Sequence, residues 1–574
     1  MKKSRVYICA LTITLFICFV IYKLADIQLL STESYGPEQV NLLEESVKQR
    51  SSEISLSNGR GVFLDRANKR LNNESKKDIV LFPFVHSLDL PESLRAKLDI
   101  LIPDWRTHIE REKKPVYLSD IISTDVSTSL YEEAKQANIT GIVAVERTIF
   151  LDPLIASHTL GIVRENSEEY KSRYEASGNG ADSTPIGISG LEKTFDSFLV
   201  STSDETLKYH VDARGNPLLG LNLRYQGTGD YFYPVKVQTT IDSDIQYMTE
   251  QVIDQHQITK GGLVLLDIET RDVLAMVSRP KIDESNPYSD NTLQNQMLTA
   301  EFPGSIFKTV VAAAAIEQSP LSLERTYDCD NNLYGDDTAA RTLGILNFQE
   351  SFALSCNFAF GEIAKVLMHA DKEILEKYAD KMGLLEPVGW SGDLYHFEQF
   401  SQFPEEEQGT IWGNNEDKFV ERAILQTAIG QKEVKITPLA IANMMATIAN
   451  NGVKGQVRIA KKILYNNGTT MMEFKPMIKQ ENLINKETAL QLKRMLIDVV
   501  ENGTGQSLKG ARVAGKSGTA ETGRNGENHY WFAGFFPSEK PKYALVVVDL
   551  DQISGESKNY QVFQEIATNL EKNK

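Results

Sequence analysis

Pro303-Gly304-Ser305-Ile306-Phe307-Lys308 opens a run, Thr309-Val310-Val311-Ala312-Ala313-Ala314-Ala315-Ile316, that carries no charge. A Pro-Gly pair marks a turn, and the alanine-rich apolar run behind it predicts a buried helix. Ser305 falls at the predicted helix start, where unpaired N–H groups and the positive dipole end favour developing negative charge. Lys308 follows one turn along the same face. A serine hydroxyl beside an amine that could take its proton forms a nucleophile–base pair. The same residues also suit an N-cap serine and a surface lysine, so other segments must decide.

Upstream, Leu263-Val264-Leu265-Leu266-Asp267-Ile268 and Val273-Leu274-Ala275-Met276-Val277 predict a hairpin. It is preceded by an amphipathic helix with Ile245, Met248 and Val252 at helical spacing. Downstream, strand-like runs return at Arg512–Glu521, Trp531–Pro537 and Tyr543–Leu550, before a helical segment, Val562–Leu570. Strands at both ends of a segment with helices between predict one antiparallel sheet covered on both faces.

Two further motifs bear on Ser305 and Lys308. Ser355-Cys356-Asn357 follows the apolar Phe352-Ala353-Leu354, and Lys516-Ser517-Gly518-Thr519 sits on a predicted strand. Ser-x-x-Lys, Ser-x-Asn and Lys-Ser/Thr-Gly in this order are the signature of serine penicillin-recognising enzymes. Short patterns recur by chance. Ser278-Arg279-Pro280-Lys281 is a second Ser-x-x-Lys, but Pro280 breaks the helix that would align its ends. Ser289-Asp290-Asn291 lies before the nucleophile in a polar stretch and reads as a loop. Gly-x-Ser-x-Gly, the α/β-hydrolase elbow, does not occur.

The N-terminal half adds an apolar run, Val6–Tyr22, after Lys2, Lys3 and Arg5. Its 17 residues would rise about 25 Å as helix, and Lys23 can snorkel so that Leu24 and Ala25 extend it. An uncleaved anchor is expected at 6–25, with residues 1–5 inside and the rest outside. Residues 30–235 predict an irregular α+β module acting as spacer and docking platform, and 236–574 the catalytic domain. At 574 residues two or three domains are expected, and a net charge of −17 argues against nucleic acid as partner. Eight scattered histidines and four cysteines outside any zinc spacing give no metal site.

Taken together, the chain resembles a class B penicillin-binding protein, a monofunctional peptidoglycan D,D-transpeptidase. The likeness includes Arg60-Gly61, Asp65-Arg66, Arg147, Gly161 and Gly190-Leu191-Glu192. It continues through Thr240-Ile241-Asp242, Gln246, Gly430-Gln431, Thr437-Pro438-Leu439, Gly503-Thr504-Gly505 and Trp531-Phe532-Ala533-Gly534. Ala67-Asn68 and Thr270-Arg271 depart from the usual Asn-Gly and Thr-Gly turns. The fold implied is α+β: a transmembrane helix, an elongated irregular pedestal or dimerisation module, and a transpeptidase domain with a five-stranded antiparallel sheet between helices.

The resemblance also implies roles. Ser305 attacks a D-Ala-D-Ala stem peptide and releases the last D-Ala; Lys308 is the general base. Neutrality at pH 7 requires its pKa to fall by roughly three units, about 4 kcal/mol, through burial and the nearby Lys516. Ser355 relays the proton to the leaving amine and Asn357 holds the substrate amide. Ser517 and Thr519 hydrogen-bond the terminal carboxylate beside Gly518, and the N–H groups of Ser305 and Thr519 form the oxyanion hole. An acceptor amine then completes the cross-link, β-lactams acylate the same serine, and no cofactor is required. A membrane-embedded glycan polymerase is the implied partner. A β-lactamase-like hydrolase and a non-catalytic penicillin-binding receptor or scaffold stand as alternatives. Cys329 and Cys356 are expected as two buried free thiols, with a redox-sensitive pair as the alternative; Cys9 and Cys18 belong to the anchor.

Overall fold

The structure is a computed structural model; it describes the chain apart from residues 1, 38, 58, 152–153, 175–183, 201–203, 220–222, 228–231, 290, 525, 554–556 and 573–574. Met1 of the expected tail and Asp290 of the Ser-Asp-Asn decoy therefore lie outside the described residues. The chain forms two compact units. One comprises residues 1–60, 74–149 and 201–229; the other comprises 61–73, 150–200 and 230–574. Residues 61–73 and 150–200, numbered within the expected pedestal, thus pack with the C-terminal unit.

The first unit begins with α1 (Lys2–Ala25), whose apolar side chains are exposed from Val6 to Tyr22. One span there, Ser4–Leu30, is long and apolar enough to cross a membrane. Its globular part has two three-stranded sheets. Leu81, Phe82, Leu98, Trp105 and Ile109 fill a separate core. Arg147 is structural here: its Nε lies 2.9 Å from the fully buried Asp78, and its guanidinium stacks 4.1 Å over Tyr117.

The second unit contains, in chain order, α2 (Ser243–Gln255), β1 (Gly261–Asp267), β2 (Val273–Arg279), α3 (Lys308–Gln318), α4 (Phe348–Ala353) and α5 (Asn357–Ala370). It continues with α6 (Pro438–Ala449), α7 (Lys486–Glu501), β3 (Ala514–Glu521), β4 (Asn528–Phe536), β5 (Tyr543–Gln552) and α8 (Asn559–Lys572). The strands form one antiparallel sheet in the order β2-β1-β5-β4-β3. Side-chain alternation assigns the faces. Leu263, Leu265, Leu545, Val547, Phe532 and Phe536 pack with α2 and α8. Val264, Leu266, Val546, Val548, Trp531 and Phe535 point the other way, toward α3, α6 and α7. Every residue of α6 is buried, as expected of a helix apolar all round. This is the expected five-stranded sheet with helices on both faces.

The landmarks near residues 60–70 also acquire a structural reason. Val62–Leu64 pairs in parallel with Lys236–Gln238. Asp65 accepts from the N–H groups of Ala67 and Lys69, each 2.8 Å away, and from Ser243 Oγ at 2.8 Å. Both departing turn residues adopt positive φ, Asn68 at 69° and Arg271 at 61°.

Candidate active site

Ser305 lies in a single 3-10 turn, Gly304–Phe307, that runs into α3. The turn is wedged between two backbones. Gly304 N–H donates to Gly430 O at 3.1 Å. A Cβ on Gly430 would stand 2.0 Å from Gly304 O, and one on Gly518 would stand 2.4 Å from Pro303 O. Only glycine permits both approaches. The predicted helix is therefore present, but what fixes its first turn is contact with the edge strand β3 and the Gly430 turn.

Lys308 is fully buried. Its Nζ lies 2.9 Å from Ser355 O, 3.0 Å from Ser355 Oγ and 2.6 Å from Asn357 Oδ1. Among the described residues Ser305 is not one of its hydrogen-bond partners. Ser355 joins α4 to α5 at φ 59°, a conformation disfavoured for a residue with a Cβ, and Asn357 opens α5. Asn347 and Glu350 close a capping box at the start of α4, so the helix leading to Ser355 is held at its N-terminus.

Lys516 is also fully buried; its Nζ lies 5.8 Å from the centroid of Phe352 and 3.2 Å from Ser517 O. Along β3 burial alternates, so that Ser517, Thr519 and Glu521 face the solvent side while Lys516, Gly518 and Ala520 are covered. Burial pushes the Lys308 amine well below its ordinary range, and the nearby cations Lys516 and Arg341 push it further. Burial, then Arg341, lowers Lys516 to about 7.

Ser305, Ser355, Asn357, Ser517 and Thr519 line one cleft of about 790 Å³, with the two lysines buried beside it. All three motifs are thus brought together, and Gly518 serves as the contact point for Pro303. In contrast, the Ser278–Lys281 decoy lies at the end of β2 and does not line the cleft.

Thr504, Tyr560 and Arg341 are among the cleft residues that had no assigned role. Thr504 Oγ1 lies 2.7 Å from Ser517 Oγ, and the Tyr560 hydroxyl donates to Thr504 O at 3.2 Å. Arg341 comes from a polar loop. The Gly503-Thr504-Gly505 pattern pointed to the first of these; Tyr560 and Arg341 carry no local signal.

One expectation is corrected. Cys329 and Cys356 are not free thiols but a disulfide, with Cα atoms 5.9 Å apart. The two segments meet because Thr326–Asp328 pairs with Ile345–Asn347, whose continuation is α4 and the Ser355 turn.

Residues 261–570 match the family model of the penicillin binding protein transpeptidase domain, and residues 46–230 that of the penicillin-binding protein dimerisation domain. Penicillin-binding protein PbpB of Mycolicibacterium smegmatis is 28% identical over 473 residues, spanning 73% of this chain and 67% of that protein. Stage V sporulation protein D of Bacillus subtilis is 26% identical over 518 residues, spanning 85% of this chain and 73% of that protein. A solved structure titled as structural coordination of polymerization and crosslinking by a peptidoglycan synthase complex shares the fold. It aligns with a TM-score of 0.64 at 22% identity, covering 98% of this chain and 97% of that one.

Proposed function

Because this chain belongs to the class B penicillin-binding proteins, we propose that it cross-links peptidoglycan stem peptides through an acyl-enzyme on Ser305, the hydroxyl that β-lactams also acylate. The observation that carries this reading is the dry amine of Lys308, held by Ser355 and Asn357 beside the cleft that Ser305 lines.

A neutral Lys308 has two N–H groups and one lone pair. The N–H groups can be spent on Ser355 O and Asn357 Oδ1, which leaves the lone pair for a hydroxyl proton. Ser305 Oγ attacks the penultimate carbonyl as its proton passes to that nitrogen. The negative charge on the carbonyl oxygen is met by the N–H groups of Ser305 and Thr519. The proton moves through Ser355 to the departing nitrogen, the C–N bond breaks and D-Ala leaves. An amine of a second stem peptide then forms a new C–N bond, the ester C–O bond breaks, and the proton the amine loses passes through Lys308 to Ser305 Oγ. In a β-lactam the leaving nitrogen stays tethered, so the adduct persists. On this reading α1 anchors the chain with its N-terminus inside and its catalytic unit outside, beside a membrane-embedded glycan polymerase.

Fluorescent penicillin tests the proposal. The full chain should form a stable adduct on the peptide containing Ser305, and Ser305→Ala should form none. Rapid turnover of the label would favour a hydrolase, and the absence of Ser305-dependent label a scaffold. With a lipid-linked substrate and a polymerase, mass spectrometry should show cross-linked dimers and released D-Ala.

A further inference from the structure

Resting on that reading, we infer that Arg341 is the cation that receives the terminal carboxylate of the donor peptide, presented by a loop that a disulfide pins beside Ser355. Arg341 lines the same cleft as Ser305 and Ser517. Its Nη2 donates to Leu354 O at 3.1 Å, one residue before Ser355, and among the described residues it has no carboxylate partner. A guanidinium offers five N–H donors in a planar fork, so one anchored nitrogen leaves others to grip a carboxylate.

No other cation of the site is as well suited. Lys432 lines the cleft but is paired with Asp417. Lys308 is engaged by Ser355 and Asn357, and Lys516 is fully buried with its Nζ 3.2 Å from Ser517 O. With a pKa of about 7, Lys516 is charged only part of the time in neutral solution, whereas a guanidinium is charged throughout.

Polarity along β3 sets the end of the cleft concerned. Glu521 follows Thr519 on the same face and disfavours an anion there. At the other end Ser517 is bonded to Thr504, which Tyr560 also binds, and all three line the cleft with Arg341. Its loop, 329–344, spans the paired strands Thr326–Asp328 and Ile345–Asn347, and the Cys329–Cys356 bond closes its base. Ordering the loop before substrate arrives lowers the entropy cost of binding.

The test uses the full-length protein in detergent and two thioester donors. One releases thioglycolate, with its free carboxylate, and the other the matching carboxamide. The native protein should prefer the acid. Arg341→Gln should lower kcat/KM for the acid about 10- to 100-fold, chiefly through KM, and leave the amide within about twofold. Arg341→Lys should recover part of the preference at low salt. Equal losses on both donors, with the disulfide intact by thiol count, would assign Arg341 to loop structure and overturn the inference. An unchanged acid rate would overturn it as well. Absence of Ser305-dependent penicillin labelling in the native protein would instead overturn the reading beneath it.

Discussion

At the scale of single residues, two buried amines in one site act against each other, and this repulsion is testable through pH. In the proposed mechanism acylation needs Lys308 neutral, so its rate should fall as pH drops through the lowered pKa of that amine. Removing the second cation with Lys516→Gln relieves the repulsion and should move this acid limb to higher pH; stopped-flow acylation by a chromogenic cephalosporin reads it. A limb that stays in place would remove Lys516 from the account. Substituting Lys516 should at the same time raise stability. The folded pKa of Lys516 is about 7 against 10.5 when unfolded. Between those values the unfolded chain holds the proton and the folded chain does not, so burial penalises folding below 10.5, fully so below 7. At about 1.4 kcal/mol per unit the full penalty is ~5 kcal/mol. Lys516→Met should therefore raise the melting temperature of the C-terminal unit at pH 7, with the gain shrinking as pH approaches 10.5. The spacing of Ser305 and Lys308 is readable in the sequence because it is local. The dryness of Lys308 and Lys516 is less so, since it depends on Phe360 and Phe352, each with its ring centroid 5.8 Å from one of the amines.

Among the secondary-structure elements, strands were easier to read than the contacts that aim them. Runs such as Tyr543–Val548 are apolar throughout because both faces of the sheet are covered, and they stand out in a polar chain. The role of Gly430 does not, because its reason is a carbonyl 126 positions away in the sequence, Gly304 O. At φ 73°, Gly430→Ala would also force the Gly304–Phe307 turn off its seat. We expect acylation to fall about 100-fold or more. Gly468→Ala, strained at φ 86° but with no atom within 4 Å of the added Cβ, should leave acylation unchanged. Equal rates for the two variants would remove the wedge from the explanation. The disulfide was hidden for a related reason: its partners lie 27 positions apart, and the pairing of Thr326–Asp328 with Ile345–Asn347 brings them together. Closing a loop of that length stabilises by ~3.5 kcal/mol in the chain-entropy picture. In denaturant, Cys9 and Cys18 should titrate before reduction and all four cysteines after it. Four thiols without reductant would contradict the bond.

In the whole molecule, the apolar helix α1 and the residues proposed for the chemistry belong to different units, each with its own core. The 24 residues of α1 rise about 36 Å as helix, more than the roughly 30 Å of a bilayer's hydrocarbon. None of the residues proposed for acylation belongs to that unit. Removing residues 2–30 should therefore release the protein from membranes while leaving penicillin acylation of Ser305 within about twofold. Cross-linking of nascent glycan should nevertheless fall, because an anchored enzyme meets lipid-linked substrate at a high effective concentration and a released one does not. Fractionation with fluorescent penicillin reads the first effect and mass spectrometry of cross-linked dimers the second. A truncated protein that stays with the membrane would mean that another surface binds there; one that loses the label would mean that α1 supports folding as well as attachment. Placing Leu15→Arg and Phe16→Arg in the full chain separates these outcomes. Each arginine at mid-helix costs about 2.5–3.5 kcal/mol of insertion without shortening the chain, so label retained in the soluble fraction would assign α1 to attachment alone.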